Sequence, residues 1–327
     1  MKRVLVTGGT GFIGSHLVEE LIARGFEVRC LVRKSSDLQW LEHMPVDLAY
    51  GDLEHMESLI PAVTDVDVVF HLAGRTKVKV KENYHDANAL GTENLIRAIL
   101  KADLKLKRFV YVSSQAVAGP SRGQKPLNES DEPNPLTPYG KSKLAGESMV
   151  FKYANRIPVT VIRPPTVYGP RDTDVYEIFK IIRYGFRAVL GWKKRYLSMV
   201  YVTDLVQGLI LASESRQAIG QVFYMVSDDC VSYHELSDSI AEALDKRALR
   251  IHVPVSLFAV WVMINEAIAF FSGKPLILNR HKVREARNRF WICDATKAKQ
   301  MLNYHPKFPL IRGVRETVNW YREQKWL

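Results

Sequence analysis

The chain has 327 residues, 47% hydrophobic and 25% charged, with a formal net charge of +11. That balance excludes a disordered chain and suits one large α/β domain, or such a domain with a smaller appendage. Cys30, Cys230 and Cys293 lie far apart with no CxxC spacing, so neither a disulfide framework nor a zinc or other metal site is expected, and a reducing compartment fits. The opening MKRVLVTGG holds too short an apolar run for a secretory signal, which leads us to expect a cytoplasmic protein. Positive charge is scattered over KVKVKEN (77–83), KADLKLKR (101–108) and WKKRY (192–196) without a recognition-module signature, so solvated faces are expected and nucleic acid is not.

In chain order, short Val/Ile/Leu-rich runs alternate with helical patterns. Strands are expected at Arg3–Thr7, Glu27–Val32, Asp47–Tyr50, 66–71, 108–113 and Val159–Arg163, with amphipathic helices such as 12–24 and 87–101 between them. Crossovers of that length join parallel strands, so the pattern predicts a doubly wound α/β fold with a parallel Rossmann sheet. After Gly169 the alternation fades into helices near 175–184, 204–213 and 233–244. Residues 1–170 are therefore expected to form the dinucleotide-binding domain, its core extending into later segments. Residues 171–327 would form a smaller, interleaved C-terminal α/β substrate lobe.

The first strand runs into TGGTGFIG, which spaces Gly8, Gly11 and Gly14 three apart between a strand and a helix. Turns use glycine in any case, but this context supplies a tight turn, close backbone approach to a pyrophosphate, and a helix N-terminus at Phe12, Ile13 and Gly14 facing the anion. The second strand ends in Arg33 and Lys34 with no acid. A carboxylate there would accept the 2′-hydroxyl of NAD(H), whereas a cation pair suits the 2′-phosphate, so NADP(H) is favoured with NAD(H) open; the bland reading is a pair of surface cations. Asp52 and Leu53 follow the third strand, where a carboxylate can reach the adenine amino group. Leu72, Ala73 and Gly74 follow the fourth.

TPYGKSKLAGE opens like a helix, with Thr137 as N-cap and Pro138 in the first turn, and sets Tyr139 and Lys143 four apart on one face. An ammonium beside a phenol lowers its pKa from about 10 and fits it for proton transfer near neutrality. The same spacing recurs at Tyr176/Lys180 and Tyr321/Lys325. Tyr139 is set apart by the upstream FVYVSSQAVAG, whose Ser113 and Ser114 end a strand where ligands of such sheets bind.

Together these residues resemble the extended short-chain dehydrogenase/reductase family, the NAD-dependent epimerase/dehydratase superfamily. TGGTGFIG, GDL, HLAG, NALGT, the serine strand, YGKSK, RPPTVYGP, VYVTDLVQG and ETVNWYREQKWL fall in family order over essentially the whole chain. The resemblance implies that Tyr139 is the general acid/base, that Lys143 tunes it and holds the nicotinamide ribose, and that Ser114, five residues before Gly119, orients the reacting oxygen. It also implies that Asn88 anchors backbone near the cofactor and that Phe12, Ile13 and Pro165 line it. Hydride would pass between a nicotinamide and a secondary alcohol or its ketone.

Nucleotide-sugar members of the family differ in several places. Where they have Tyr-Gly after the serine strand, this chain has Ala118-Gly119. Thr166 stands in place of their diphosphate-contacting Asn and Leu197 in place of their Arg, although Arg195 is two residues away; the late Arg-x-Gly-Asp is absent. The chain is more similar to dihydroflavonol 4-reductase-like and 3-beta-hydroxysteroid dehydrogenase-like members. An oxidoreductase acting on a hydrophobic sterol-, polyketide- or lipid-like substrate is therefore the expectation. A nucleotide-sugar 4-epimerase or dehydratase is the alternative, and a non-catalytic dinucleotide-binding protein a second one. Family members pair through two helices, here 87–101 and 138–153, so a homodimer is expected.

The stretch 255–271 is nearly unbroken in apolar residues. As a helix of 17 residues it would reach about 25 Å, short of the ~30 Å hydrocarbon core, and Asn265 and Glu266 fall inside it, so it is a poor span. Leu257, Phe258, Trp261, Ile264, Ile268 and Phe271 would form a broad apolar surface, with Asn265 and Ser272 on one face. Burial in the lobe is one reading. The other is a helix that walls a hydrophobic pocket and rests in a membrane interface, flanked by Lys274 and Arg280.

Overall fold

A computed structural model describes residues 2–76, 84–272 and 280–327. The first six strands are β1 (Arg3–Thr7), β2 (Glu27–Val32), β3 (Asp47–Tyr50), β4 (Val68–His71), β5 (Arg108–Val112) and β6 (Val159–Arg163). Between and after them come α1 (Phe12–Ala23), α2 (Met56–Val63), α3 (Gly91–Lys101) and α4 (Pro138–Lys152). Later come β7 (Thr166–Tyr168), α5 (Tyr176–Arg183), β8 (Phe186–Leu190), β9 (Tyr196–Tyr201), α6 (Val202–Glu214), β10 (Gln221–Tyr224) and β11 (Cys230–Ser232). Then follow α7 (Tyr233–Ala243), β12 (Leu249–Val253), α8 (Val255–Ser272), α9 (Arg280–Arg287), β13 (Phe290–Trp291), α10 (Thr296–Leu302) and α11 (Leu310–Glu323).

The main sheet has seven parallel strands in the order β10-β6-β5-β4-β1-β2-β3. Its strands read as continuous apolar runs because helices cover both faces, and successive side chains point to opposite sides. Val4, Val6, Val28, Cys30, Phe70 and Val110 pack with α1, α6 and α10 on one face. Leu5, Leu31, Val69, Phe109, Tyr111 and Val161 pack with α2, α3 and α4 on the other. The chain runs from β1 outward to β3, then returns to lay β4 on the other side of β1. That reversal opens a crevice at the carboxyl ends of β1 and β4, where Thr7 pairs with His71.

The core of the first domain takes in later segments: the seventh strand, β10, comes from the later half of the chain, and α6 and α10 join the first core cluster. One feature departs from the expected elements. The helix expected over 87–101 instead begins with a π-helical turn, Asp86–Leu90, which carries Asn88. A third cluster, including Phe179, Leu197, Met199, Ile240 and Tyr321, is the core of the rest of the chain around β9, α5, α7 and α11.

Candidate active site

The turn between β1 and α1 is shaped by close approach. Gly8 has φ +76°, in the left-handed region, and a Cβ on it would lie 2.8 Å from the Ala73 nitrogen. A Cβ on Gly14 would lie 2.0 Å from the Gly8 carbonyl oxygen. The strand, turn and helix therefore touch backbone to backbone, which only glycine permits. Gly11 caps α1, whose first turn, including half-buried Phe12 and Ile13, holds no acid. This bare helix end beside a glycine cradle fits the pyrophosphate of a dinucleotide.

Farther along the same edge, Arg33 and Lys34 stand exposed at the end of β2, and neither pairs its side chain with a described residue. The Arg33 N–H donates to Ser36 Oγ at 2.9 Å. Asp52 is half-buried, and its carboxylate accepts the Glu54 N–H at 3.0 Å. The Leu53 carbonyl accepts from Asn94 Nδ2 at 2.8 Å, fixing this loop to α3.

Behind the turn runs a chain of buried hydrogen bonds. Thr92 Oγ1 donates to the Asn88 carbonyl at 2.9 Å, so it accepts from His71 Nε2, also at 2.9 Å. His71 Nδ1 then accepts from Thr7 Oγ1 at 2.7 Å, which in turn accepts the Ala73 N–H at 3.1 Å. The directions are consistent only for a neutral imidazole with its proton on Nε2. Complete burial, together with the nearby Lys143 charge, pushes the His71 pKa down to about 3.

Asn88, itself buried, closes the next gap. Its Oδ1 accepts the Arg75 N–H at 2.8 Å, and its Nδ2 donates to the Arg75 carbonyl at 3.1 Å and to Ser142 Oγ at 2.9 Å. The loop after β4, with Leu72, Ala73 and exposed Gly74, is thereby tied to α4. A Cβ on Gly74 would lie 2.7 Å from Asn88 Oδ1 and 3.8 Å from Lys143 Nζ.

Helix α4 starts as its sequence demands, with Thr137 Oγ1 accepting the Gly140 N–H at 3.1 Å and Pro138 in the first turn. Its orientation is fixed by a buried two-pronged pair in which Arg163 Nε and Nη2 donate to Glu147 at 2.9 and 2.6 Å. Tyr139 and Ser114 come together closely enough for the serine hydroxyl to oppose the rise in the phenol's pKa. Pro165 lies beside this turn, since the carbonyl of Pro164 accepts the Gln115 N–H at 2.9 Å.

Lys143, one turn after Tyr139 on α4, is held by the neighbouring strand. Its ammonium donates to the Val112 carbonyl at 2.6 Å and sits 4.4 Å from the centre of the Tyr111 ring. Burial pushes its pKa down to about 7, against the opposing pull of Glu147. The Tyr139 phenol is pushed up to about 12, chiefly by burial, with the Ser114 hydrogen bond opposing. The competing pairs are structural: the Tyr176 hydroxyl donates to the Trp326 carbonyl, and that of Tyr321 to the Asp172 carbonyl at 2.8 Å.

Two residues near Tyr139 carried no sequence signal. The Tyr84 ring meets the Tyr139 ring edge-on at 6.0 Å, and the charge of Glu285, on α9, adds to the rise of the phenol's pKa. Neither belongs to a spaced motif, and both arrive from distant segments.

The family model described as NAD dependent epimerase/dehydratase family matches residues 4–225. A 4-hydroxy-2-methyl-3-oxo-4-farnesyl-3,4-dihydroquinoline-1-oxide ketoreductase from Stigmatella aurantiaca is 36% identical over 68% of this chain and 67% of its own. A UDP-N-acetyl-alpha-D-glucosaminuronate decarboxylase from Bacillus cytotoxicus is 30% identical over 98% of both. The solved structure of a UDP-glucose 4-epimerase from Thermotoga maritima, holding UDP-glucose, superposes with a TM-score of 0.82 at 25% identity over 99% of both chains.

Proposed function

Because the chain belongs to the NAD-dependent epimerase/dehydratase family, whose members are enzymes of the extended short-chain dehydrogenase/reductase type, we propose that it interconverts a secondary alcohol and a ketone on a hydrophobic, lipid- or sterol-like substrate. The observation that supports this branch is Leu197. Sugar-nucleotide members resembled by this chain have an arginine at that position; here an aliphatic side chain is buried in the third core cluster. Thr166 likewise offers a short hydroxyl in place of an amide. The ketoreductase from Stigmatella, named for a farnesylated substrate, is consistent with an apolar ligand.

A bound nicotinamide dinucleotide supplies hydride donation and acceptance. In this reading the α1 N-terminus and the glycine turn hold its pyrophosphate, Arg33 and Lys34 hold a 2′-phosphate, and Lys143 and Asn88 shape the nicotinamide end. Ser114 donates to the substrate oxygen and Tyr139 moves the proton at that same atom. NADP(H) is the preferred form because no acid stands at the end of β2. The enzyme is read as a homodimer joined through α3, with the π-helical turn before it, and α4, where Leu90 on that turn and Phe151 on α4 are exposed; a monomer mass by light scattering at micromolar concentration contradicts that.

A second reading, a nucleotide-sugar epimerase or dehydratase, draws on Arg195. Its Nε donates to the Ala286 carbonyl at 3.1 Å, which brings a guanidinium against α9, the helix that holds Glu285, whose charge acts on Tyr139. Thermal-shift titration separates the two readings, since a ligand that binds the native state raises the midpoint according to its affinity. NADPH followed by sterol or acyl ketones should shift the midpoint. A shift with UDP-sugars and none with the ketones reverses the assignment.

A further inference from the structure

Over residues 255–265, helix α8 leaves an apolar side uncovered. Leu257, Val260, Trp261, Met263 and Ile264 are each more than half exposed, and at 100° per residue they fall on one side, opposite fully buried Val262. Just before it, β8 and β12 pair in parallel, with Phe186 opposite Leu249 and Ala188 opposite Ile251. These four side chains share one face of the ribbon, and Phe186 (48%), Leu249 (68%) and Ile251 (40%) are also exposed. The other face turns inward, with Val189 buried and Arg187 and Arg250 both paired to Asp238 on α7. The end of the ribbon meets the start of α8, since a Cβ on Gly191 would lie 3.7 Å from Val255. Exposed apolar side chains thus follow one another from β8 through β12 into α8, and a run of exposed apolar side chains suits an interaction or membrane surface.

Within these segments cations predominate, although Arg187 and Arg250 pair with Asp238 and Lys180 with Glu177. Residues 178–203 and 246–265 carry Lys180, Arg183, Arg187, Lys193, Lys194 and Arg195, then Lys246, Arg247 and Arg250, without a single Asp or Glu. Lys193, Lys246 and Arg247 are exposed and form no ion pair with a described residue. An apolar surface rimmed by unpaired cations complements a bilayer with anionic headgroups, where the side chains enter the acyl boundary and the cations meet phosphates. Among the described residues no helix is long and apolar enough to cross a membrane. We propose that α8 and the β8–β12 ribbon seat this protein on the interface of an anionic lipid bilayer. The seat rests on exposure and charge alone and does not depend on the substrate assigned above. The side chains of Ile268, Phe271, Ser272 and Arg280, and residue Lys274, lie outside what the structure describes, as does the basic run 77–83.

The test is co-sedimentation of the full chain with vesicles of phosphatidylcholine alone or with phosphatidylglycerol at three parts in ten, at low and high salt. The expected result is about tenfold more bound protein on the anionic vesicles at low salt, most of it released at high salt. Trp261→Ser/Ile264→Ser and Phe186→Ser/Leu249→Ser should each lose most of that binding. Lys193→Glu/Lys194→Glu should lose the preference for anionic lipid. These positions are exposed, and unchanged melting of each variant confirms folding. Wild type left in the supernatant with anionic vesicles at low salt overturns the seat, as does binding as strong as wild type's by both serine pairs. Light scattering closes the remaining route: a dimer that becomes a monomer in Trp261→Ser/Ile264→Ser shows that a second copy covers this face, and the seat falls.

Discussion

The Lys143 ammonium donates to the Val112 carbonyl at 2.6 Å, so the lysine four residues after Tyr139 is held by the strand that leads to Ser114. It is buried, with Glu147 pulling its pKa upward and desolvation pushing it down to about 7. Its unfolded value is near 10.4, so between about pH 7 and 10.4 the unfolded chain binds more protons than the native one. Stability must then rise with pH across that window, and below about pH 7 the full cost of burying the cation is present. Melting of the cofactor-free protein at a series of pH values should show this rise. In Lys143→Met it should flatten, so that the variant gains on the wild type at pH 6 and loses that gain by pH 10. A wild-type midpoint that falls from pH 7 to 9 as steeply as that of the variant contradicts the buried ammonium.

Tyr139→Phe should cut kcat by about 10²- to 10⁴-fold, the usual worth of a positioned acid/base, while cofactor affinity stays nearly unchanged because the ring remains. Tyr176→Phe should leave kcat within a factor of about three, since that phenol bonds the Trp326 carbonyl and its ring packs against the third core cluster. Steady-state kinetics on both variants decides it. Equal losses would mean that the wrong Tyr/Lys pair has been placed at the reaction.

Arg33→Ala should weaken NADPH about tenfold or more and NADH little, because a charge-assisted bond to phosphate is worth roughly 1.5–3 kcal/mol. Arg33 is exposed and has no side-chain partner among the described residues, so the substitution removes no packing contact that would penalise both cofactors alike. Fluorescence titration with each nucleotide reads the ratio. Equal losses would reduce Arg33 and Lys34 to ordinary surface cations.

The strands nearest the site were legible because both faces of the sheet are covered. RVLVT, EVRCLV and VTVIR read as apolar runs, and their observed limits match those expected. The start of α4 was equally legible, since a threonine cap followed by proline is a local signal. Strand β10 was not, being four residues long with its first two only half-buried. Strands β11 and β13, of three and two residues, exist only because β9 offers them an edge. Periodicity placed a helix over Asn88 but gave no sign of the π-helical turn that points its amide at Arg75. Nor does a four-residue spacing say whether a lysine faces the tyrosine before it or a carbonyl on the next strand; packing against Tyr111 decides that.

Asn88 provides the last prediction. Its amide makes three hydrogen bonds in a buried place, two to the Arg75 backbone and one to Ser142 Oγ, which itself donates to the Tyr139 carbonyl at 2.7 Å. Asn88→Ala takes the side-chain partner from the Arg75 N–H and carbonyl and leaves Ser142 Oγ with only its bond to the Tyr139 carbonyl; a buried group left unpaired costs about 1–3 kcal/mol, with sums smaller than the parts when neighbours relax. Asn88→Asp keeps the acceptor for the Arg75 N–H and can accept from Ser142, but it cannot donate to the Arg75 carbonyl and adds a charge in a buried site. Ser142→Ala removes only one partner of the amide. Melting midpoints should therefore fall most for the two Asn88 variants and least for Ser142→Ala. Cofactor affinity should follow the same order, because the loop held by Asn88 carries Gly74 to within reach of Lys143. If Asn88→Ala melts lower but binds NADPH as tightly as wild type, the clamp is a stability device and does not shape the cofactor cleft.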